Sequence, residues 1–320
     1  MGQIENIKIY SGNDLETIFF RPMLVGQNAE ELGIRVLYNM PVPTTIQLWS
    51  PQTDILQPYS TGWSGGDGAQ RMQKTLELCK VKAEVGFSAS DYFSQVYELI
   101  TNRADVNLDD LTGSELEQAE TEMFRAAVAE NLRLMMWAGD TDANSYNLFD
   151  GLLKKVHCYE GISVVDFSVE PVGKDNVISL LTQIWEKASP RLKSLKAEGQ
   201  LAYFVSTDVC DAYEQYLDSL GADGAYTELT TGRRELSFHG IKLIDINISH
   251  IMPLHHVDNP SFCVLTDRRN LVLAVNTADY PGSEVRMWYN PDEMQNRQRA
   301  IFMAGCELLD EELVVRADFN

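Results

Sequence analysis

The feature of this sequence that most constrains its fold is one long stretch with helical periodicity near the middle of the chain. Ser114, with Glu117 three residues later, forms a capping box, which is typical of a helix start. We predict a helix over about residues 114–138, roughly 36 Å long, with Gly139 as the residue that follows it. Apolar residues in this range form two stripes at helical spacing, so the helix should be covered by protein on more than one side. The stripes are Leu116, Ala119, Met123, Ala127, Leu134 and Trp137, and Phe124, Val128, Leu132 and Met135.

Residues 43–80 have the pattern of a long projecting β-hairpin. Strand-like stretches such as 44–49 alternate with prolines, and a glycine-rich run follows at 62–68. Glycine and aspartate at this density indicate a turn. Because so long an irregular stretch is unusual inside a compact domain, we expect the hairpin to pack on a neighbouring molecule. Residues 1–42, where Pro22 interrupts any helix, are interpreted as an extended arm.

The rest of the chain mixes strands and helices, which predicts an α+β fold. A strand is predicted over 76–87, and Ser90 is placed to cap a helix over 91–102. Beyond the long helix we predict a helix over 176–194 that breaks at Pro190, a buried strand over 201–206 and a helix that starts at Thr207. The remaining strand-rich segments are 236–248, 262–275, 285–289 and 300–309.

The charge of the chain limits its partners. Its 320 residues include 47 acidic and 26 basic side chains, which give a net charge of −21. A surface this acidic repels nucleic-acid phosphates, so tight binding to DNA or RNA is disfavoured. The same charge is compatible with a surface that faces nucleic acid without binding it specifically.

The cysteines and the N-terminal segment predict a soluble protein made in the cytoplasm. The opening sequence MGQIENIKIYSGN lacks the basic and apolar regions of a signal peptide, and no apolar window is long enough to span a membrane. Five scattered cysteines without a C-x-x-C pattern are expected to be reduced and mostly buried. They are Cys79, Cys158, Cys210, Cys263 and Cys306.

Three local patterns resemble ligand sites but fail on spacing, so no metal, cofactor or catalytic residue is predicted. Asp140-x-Asp142-x-Asn144 begins like a calcium loop, yet Ser145 and Gly151 stand where glycine and glutamate are required. The histidines at 250, 255 and 256 lack the spacing of a zinc site. The glycine run at 62–68 lacks the lysine and the helix of a phosphate cradle.

Several short motifs occur in an order that is typical of one family. Ala138-Gly139-Asp140 ends the predicted long helix, and Asp150-Gly151-Leu152 follows a polar loop. Val205-Ser206-Thr207-Asp208 opens the next helix, and the stretches 236–243 and 265–271 come after it. Together with the arm and the hairpin, these motifs resemble the major capsid proteins of tailed bacteriophages. Their Hong Kong 97-like capsid fold is shared with encapsulin nanocompartments.

The resemblance implies a division of the chain into an arm, a loop and two domains. Residues 1–42 would be the N-terminal arm, 43–80 the extended loop, and 81–160 the peripheral domain with its spine helix at about 114–138. Residues 161–260 would form the axial domain, 261–295 the return strands of the peripheral domain, and 296–320 the C-terminal part of the axial domain.

The resemblance also implies function and partners. The chain would assemble with itself as hexamers and pentamers into the head shell around a double-stranded DNA genome. A scaffolding protein, a portal and decoration proteins are implied as further partners. The protein would be made in the cytoplasm of the bacterial host and would end in the virion capsid. No long charged helical segment precedes the arm, so scaffolding is expected from a separate protein or from a segment already removed.

Apolar residues in the arm and the hairpin are candidate contacts between subunits. Phe19 and Phe20 in the arm and Trp49 and Trp63 in the hairpin are predicted as interface anchors. For the two tryptophans the reason is that an isolated hairpin cannot bury them itself. Local core packing is the alternative for each. Some members of the family crosslink through a loop lysine. Lys74 is the only lysine in residues 43–75 and nothing marks a partner for it, so no crosslink is predicted.

Three other functions are alternatives to a phage shell. An encapsulin-type compartment would share the fold and differ in its cargo. An α/β enzyme would need a convergent polar site, and the sequence suggests none. A tail or connector component would also self-assemble, but the long helix with its Gly-Asp turn favours the capsid fold.

Overall fold

The computed structural model describes residues 27, 29–39, 44–50, 61, 70–88, 110–112, 115–167, 171–220, 235–251, 261–276 and 286–319. In these ranges the helices are α1 (Glu115–Ala138), α2 (Leu152–Cys158), α3 (Val177–Lys187), α4 (Pro190–Ser194) and α5 (Thr207–Ser219). Short 3-10 turns occupy Leu195–Glu198, Arg268–Asn270 and Glu311–Leu313. The strands are β1 (Arg35–Tyr38), β2 (Thr44–Ser50), β3 (Gln70–Leu76), β4 (Cys79–Phe87), β5 (Ser163–Asp166), β6 (Leu201–Val205), β7 (Ser237–Phe238), β8 (Ile241–Asp245), β9 (Cys263–Asp267), β10 (Leu271–Asn276), β11 (Arg286–Asn290), β12 (Gln295–Leu308) and β13 (Val314–Asp318).

The described strands form three sheets. The long strand β12 organises a five-stranded sheet in the order β1-β10-β12-β11, with β4 also paired to β12. A six-stranded sheet has the order β5-β13-β9-β6-β8-β7. The hairpin strands β2 and β3 pair with each other, antiparallel, from Thr44 opposite Leu76 to Ser50 opposite Gln70.

Strand β6 joins two hydrophobic cores because all five of its residues are buried. Its side chains alternate between the two faces of the sheet. Leu201, Tyr203 and Val205 pack in the core under helices α3 and α5, whereas Ala202 and Phe204 pack in the core that contains the end of α1. The six-stranded sheet is therefore covered on both faces, and this explains why β6 reads as a continuous apolar run.

The last part of α1 is surrounded by protein, as its two apolar stripes predict. The ring centroids of Trp137 and Phe204 are 5.0 Å apart. Arg133, which is also buried, donates to both carboxylate oxygens of Glu130 at 2.8 and 2.7 Å and to the carbonyl oxygen of Ile246 at 2.7 Å. Helix α1 is thus attached to the six-stranded sheet by apolar packing and by the hydrogen bond from Arg133 to Ile246, which follows β8. The bidentate pair with Glu130 lies within α1 and holds the buried guanidinium in place.

The local predictions agree with the described elements. Helix α1 matches the predicted range of 114–138, and β2 and β3 form the predicted hairpin. The break predicted at Pro190 separates α3 from α4, and the buried strand before Thr207 is β6. The helix predicted over 91–102 lies outside the described residues.

Both large sheets take strands from the C-terminal part of the chain. Range 261–295 contributes β9 to the six-stranded sheet but β10 and β11 to the five-stranded sheet. Range 296–320 likewise contributes most of β12 to one sheet and β13 to the other. The chain crosses between the sheets at two three-residue turns, Arg268–Asn270 and Glu311–Leu313. The polar residues of these turns indicate a break between strands, but the change of sheet depends on pairing with strands far away in the sequence.

All five cysteines are free thiols. Cys263 and Cys306 are buried, Cys79 and Cys210 are half-buried, and Cys158 is exposed. Cys158, in the last turn of α2, is the exposed exception to the expectation of mostly buried thiols. Within the described ranges, no helix is both long and apolar enough to cross a membrane.

Candidate assembly surface

The four predicted contact residues lie largely beyond what the structure describes. Phe19, Phe20 and Trp63 are outside the described residues. Trp49 occupies a position in β2 opposite Arg71 of β3, and its side chain is not among those described. Their roles as interface anchors therefore stay predictions. The root of the hairpin that carries Trp49 consists of β2 and β3.

The root of the hairpin packs on the five-stranded sheet. Thr45 and Gln47 of β2 are exposed, whereas the alternate positions turn toward the body of the protein. One face of the hairpin is thus anchored, and the other is available to a neighbour. The small core beneath it consists of Leu76, Val272, Ala274 and Leu309, with Leu37, Ile46, Leu48 and Leu78 packed against it.

Lys74 of β3 attaches the hairpin root at a second point. Its Nζ lies 2.9 Å from Oε1 of Glu311 and 3.9 Å from the ring centroid of Tyr159. Glu311 belongs to the turn between β12 and β13, where the chain passes from one large sheet to the other. The ion pair therefore connects the hairpin to the junction of the two sheets.

A buried carboxylate beside this ion pair organises the junction. Glu307 is 4% exposed. It accepts from Nζ of Lys155 at 2.8 Å and from the hydroxyl of Tyr159 at 2.6 Å. Burial, and then the hydrogen bond and charge of Glu307, raise the pKa of Tyr159. The phenol stays protonated and can act as the donor that a buried carboxylate requires.

Gly305 of β12 allows the hairpin root to approach the sheet closely. A methyl group at this position would overlap the carbonyl oxygen of Glu77, which lies between β3 and β4. The absence of a side chain at Gly305 is therefore a condition for the observed position of the root.

The two glycine motifs that flank the polar loop lie against each other. The amide of Gly151 donates to the carbonyl oxygen of Gly139 at 2.7 Å. A Cβ on Gly151 would lie 2.7 Å from the carbonyl oxygen of Trp137, and a Cβ on Gly139 would lie 2.5 Å from that of Met135. Both glycines are thus required by close backbone contact, and the loop between them closes at the end of α1.

The carboxylates of this loop surround an ammonium group. Nζ of Lys154 lies 2.6 Å from Asp140, 2.7 Å from Asp142 and 2.9 Å from Asp150. The hydrogen bond from Lys154 lowers the pKa of Asp140. Burial opposes ionisation of Asp150, but hydrogen bonds from Thr141 and Lys154 hold its pKa below the usual value. The ammonium group of Lys154, from helix α2, therefore occupies the space between the carboxylates of the loop that resembles a calcium site.

The histidine and carboxylate groups offer no metal centre in the part of the chain that the structure describes, where no group of three or more such side chains is placed to bind an ion. Of the three clustered histidines, His250 is described, and His255 and His256 are outside the described residues.

Sequence reasoning did not find the junction around Glu307. Lys74 and Glu311 are 237 residues apart, and Lys155 and Glu307 are 152 residues apart. Each is an ordinary charged residue in its local context. The one available signal is Lys74 itself, the only lysine in residues 43–75.

Several solved structures have folds similar to the fold of this chain. The capsid of an empty GTA particle matches with a TM-score of 0.58 at 10% identity, covering 94% of this chain and 99% of that chain. The capsid of Cyanophage P-SCSP1u matches at 0.54 and 10% identity, covering 96% and 94%. A chain of Gordonia phage Cozz matches at 0.57 and 11% identity, covering 94% and 89%. The chain has the tailed-phage capsid fold. No protein-family model matches the sequence, and no curated protein does.

The capsid fold confirms the architecture predicted from the order of the motifs. The resemblance rested on the arm, the hairpin, the long helix with its Gly-Asp turn and the mixed region after it. At 10–11% identity, the likeness lies in the backbone path. The backbone contact between Gly139 and Gly151 and the junction at Glu307 both lie within this fold.

Proposed function

We propose that this chain is the major capsid protein of a tailed phage and that it assembles into an icosahedral head shell around double-stranded DNA. The observation that carries the proposal is the likeness of the whole chain, over 94% of its length, to the capsid of an empty GTA particle. A closed shell of identical chains, built from hexamers and pentamers, requires a rigid body with adaptable edges. The function is structural, and no catalytic step or cofactor is proposed.

The hairpin root supports this proposal physically. An extended hairpin stabilises a shell only if its base has a fixed direction, so that its outer part reaches a neighbour at a defined place. The apolar contact of Leu76 and the ion pair of Lys74 with Glu311 fix that base at two points. Each contact with a neighbour can then be weak, because many copies act together.

The proposed domains correspond to the two large sheets. Helix α1 with the five-stranded sheet would form the peripheral domain, and the six-stranded sheet with α3 and α5 would form the axial domain. Residues 1–42 would be the arm and 43–80 the extended loop. Phe19, Phe20, Trp49 and Trp63 are proposed as anchors on neighbouring subunits.

The net charge of −21 supports a shell wall that faces DNA without specific binding. The proposed partners are further copies of the chain, with a scaffolding protein, a portal and decoration proteins as additional ones. The mature protein would be located in the virion capsid, after synthesis in the bacterial host.

Negative-stain electron microscopy of the purified chain, with and without a co-expressed scaffold, tests the proposal. Closed icosahedral shells, or hexamers and pentamers, are the expected products. Nuclease-protected DNA inside particles from infected cells would separate a phage head from an encapsulin-type compartment with protein cargo. A monomer or small dimer under every condition would contradict the proposal and would make an enzyme screen the next experiment.

A further inference from the structure

One face of the five-stranded sheet carries an unusual concentration of cations for so acidic a chain. Strand pairing places Arg297 between Trp288 and Gly86, and Arg299 opposite Glu84. Lys82 lies two residues from Glu84 on β4. The alternate residue of β12, Gln298, is buried, and its Nε2 donates to Oγ1 of Thr121 on α1 at 3.2 Å. The arginines therefore lie on the sheet face opposite to α1.

The carboxylates on this face do not accept hydrogen bonds from all of the nitrogen donors of its lysine and arginines. Glu84 accepts from Nζ of Lys82 at 2.7 Å and from Nε of Arg299 at 2.6 Å, and Arg297 pairs with Glu293. Within the described residues, three cations thus share two carboxylates. Arg299 contacts Glu84 through Nε, so its two terminal nitrogens are not used in that pair, and its side chain is 47% exposed.

A hollow lies beside these donors. It has a volume of about 340 Å³, and its lining includes Glu84, Gly86, Trp288, Gln295, Arg297 and Arg299. The guanidinium carbon of Arg299 lies 5.6 Å from the ring centroid of Trp288, which is 38% exposed. Gly86 contributes no side chain, so space remains in front of the arginines. An exposed tryptophan next to arginines is the composition of an interface hot spot.

We infer that this hollow binds a carboxylate-bearing segment of a second copy of the chain. The inference rests on the proposed function and deepens it by naming one contact between subunits. The two terminal nitrogens of Arg299 form the planar fork that a carboxylate accepts in bidentate geometry. A second copy carries 47 acidic side chains, so it offers carboxylates that complement this local group of cations, and it is present at high concentration in any shell.

One variant and its control test the contact without removing a buried group. Gly86→Leu fills the hollow and leaves every charge in place. A Cβ at Gly86 would meet Oε1 of Gln295 at 3.4 Å, which is ordinary contact. Its matched control is Gly173→Leu, since nothing lies within 4 Å of a Cβ at that position. We expect Gly86→Leu to raise the critical concentration for assembly at least tenfold, and Gly173→Leu to leave it unchanged. Equal thermal melting of the two variants would verify that both fold.

Crosslinking identifies the occupant. Arg299→Lys introduces an amine that carbodiimide can couple to a carboxylate in contact with it. Particles assembled from mixed ¹⁴N and ¹⁵N chains distinguish crosslinks between copies from crosslinks within one copy. We expect mixed-isotope peptides that join residue 299 to an aspartate or glutamate, in particles and not in dissociated subunits.

The outcomes separate this inference from the proposed function. Normal particles in which residue 299 couples only to Glu84 of the same copy, with wild-type assembly of Gly86→Leu, would overturn the inference alone. Loss of retained DNA in Gly86→Leu at an unchanged critical concentration would also overturn it, in favour of a DNA contact. A wild-type chain that forms no particles would overturn the proposed function, and the inference with it.

Discussion

Gly139 and Gly151, on either side of the polar loop, are joined by a backbone hydrogen bond of 2.7 Å from the amide of Gly151 to the carbonyl oxygen of Gly139. The two motifs that suggested the capsid fold from sequence, Ala138-Gly139-Asp140 and Asp150-Gly151-Leu152, are therefore two halves of one contact. The end of the long helix and the start of α2 meet there without side chains between them. This explains why both motifs contain glycine.

Substitution at this contact should be costly. Gly151→Ala would place a Cβ 2.6 Å from the amide nitrogen of Gly139 and 2.7 Å from the carbonyl oxygen of Trp137. Since these neighbours are backbone atoms that cannot rotate away, we expect a loss of about 2–4 kcal/mol in the free energy of unfolding. Urea denaturation measures it. Gly173→Ala, which meets nothing within 4 Å, is the control and should change stability by less than about 1 kcal/mol.

Removal of the ammonium group from the acidic loop should destabilise the protein in a pH-dependent way. Lys154→Met leaves three aspartates close together without their shared cation, which we expect to cost about 1–2 kcal/mol at pH 7. The pKa values of Asp140 and Asp150 are lowered in the folded state from an ordinary value of 3.8. Their contribution is thus present above pH 3.8 and is lost as the pH falls through the lower folded values. Denaturation curves should show the gap between wild type and variant narrowing below about pH 4. A gap that is constant from pH 7 to pH 3 would contradict this origin.

Loss of the Lys74–Glu311 ion pair should loosen the hairpin root and spare the rest of the fold. Both side chains are partly exposed, so we expect Lys74→Met to cost no more than about 1 kcal/mol in global stability. Amide hydrogen exchange over 44–50 and 70–76 should become faster, because the second attachment of the root is gone. Lys242→Met is the matched control, since it breaks an exposed pair with Glu235 at the same distance of 2.9 Å. Unchanged exchange in the hairpin of Lys74→Met would mean that apolar packing alone holds the root.

Replacement of Trp49 or Trp63 by alanine should impair assembly and leave the monomer folded. Both residues are predicted to anchor the hairpin on a neighbour, and the energy of such a contact is concentrated in large aromatic side chains. Particle yield by sedimentation, with circular dichroism as the folding check, measures the effect. Trp137→Ala provides the contrast: this side chain is 2% exposed, so its loss should unfold the protein at a cost of about 3–5 kcal/mol. Normal shells from both hairpin variants would contradict the anchoring role.

Local periodicity was sufficient to predict the helices and strands. It did not predict which strands belong to which sheet. Helix α1 could be predicted because a capping box and two apolar stripes lie in one continuous segment, and the hairpin because its turn is rich in glycine. The placement of β12 and β13 in different sheets could not, because it depends on pairing with strands far away in sequence. The Lys74–Glu311 contact spans 237 residues and has no local signature for the same reason. The glycines at 139 and 151 were noticed as motifs, and their mutual contact needed coordinates.

The measurement that tests the central claim most directly is a cryo-electron microscopy map of particles assembled from the wild-type chain. The account predicts a closed icosahedral shell in which the root of each β2–β3 hairpin lies on its own five-stranded sheet, with Lys74 beside Glu311, while the outer part of the hairpin lies on the adjacent subunit. A map in which the hairpin folds back onto its own subunit, or a sample that never forms closed shells, would contradict it.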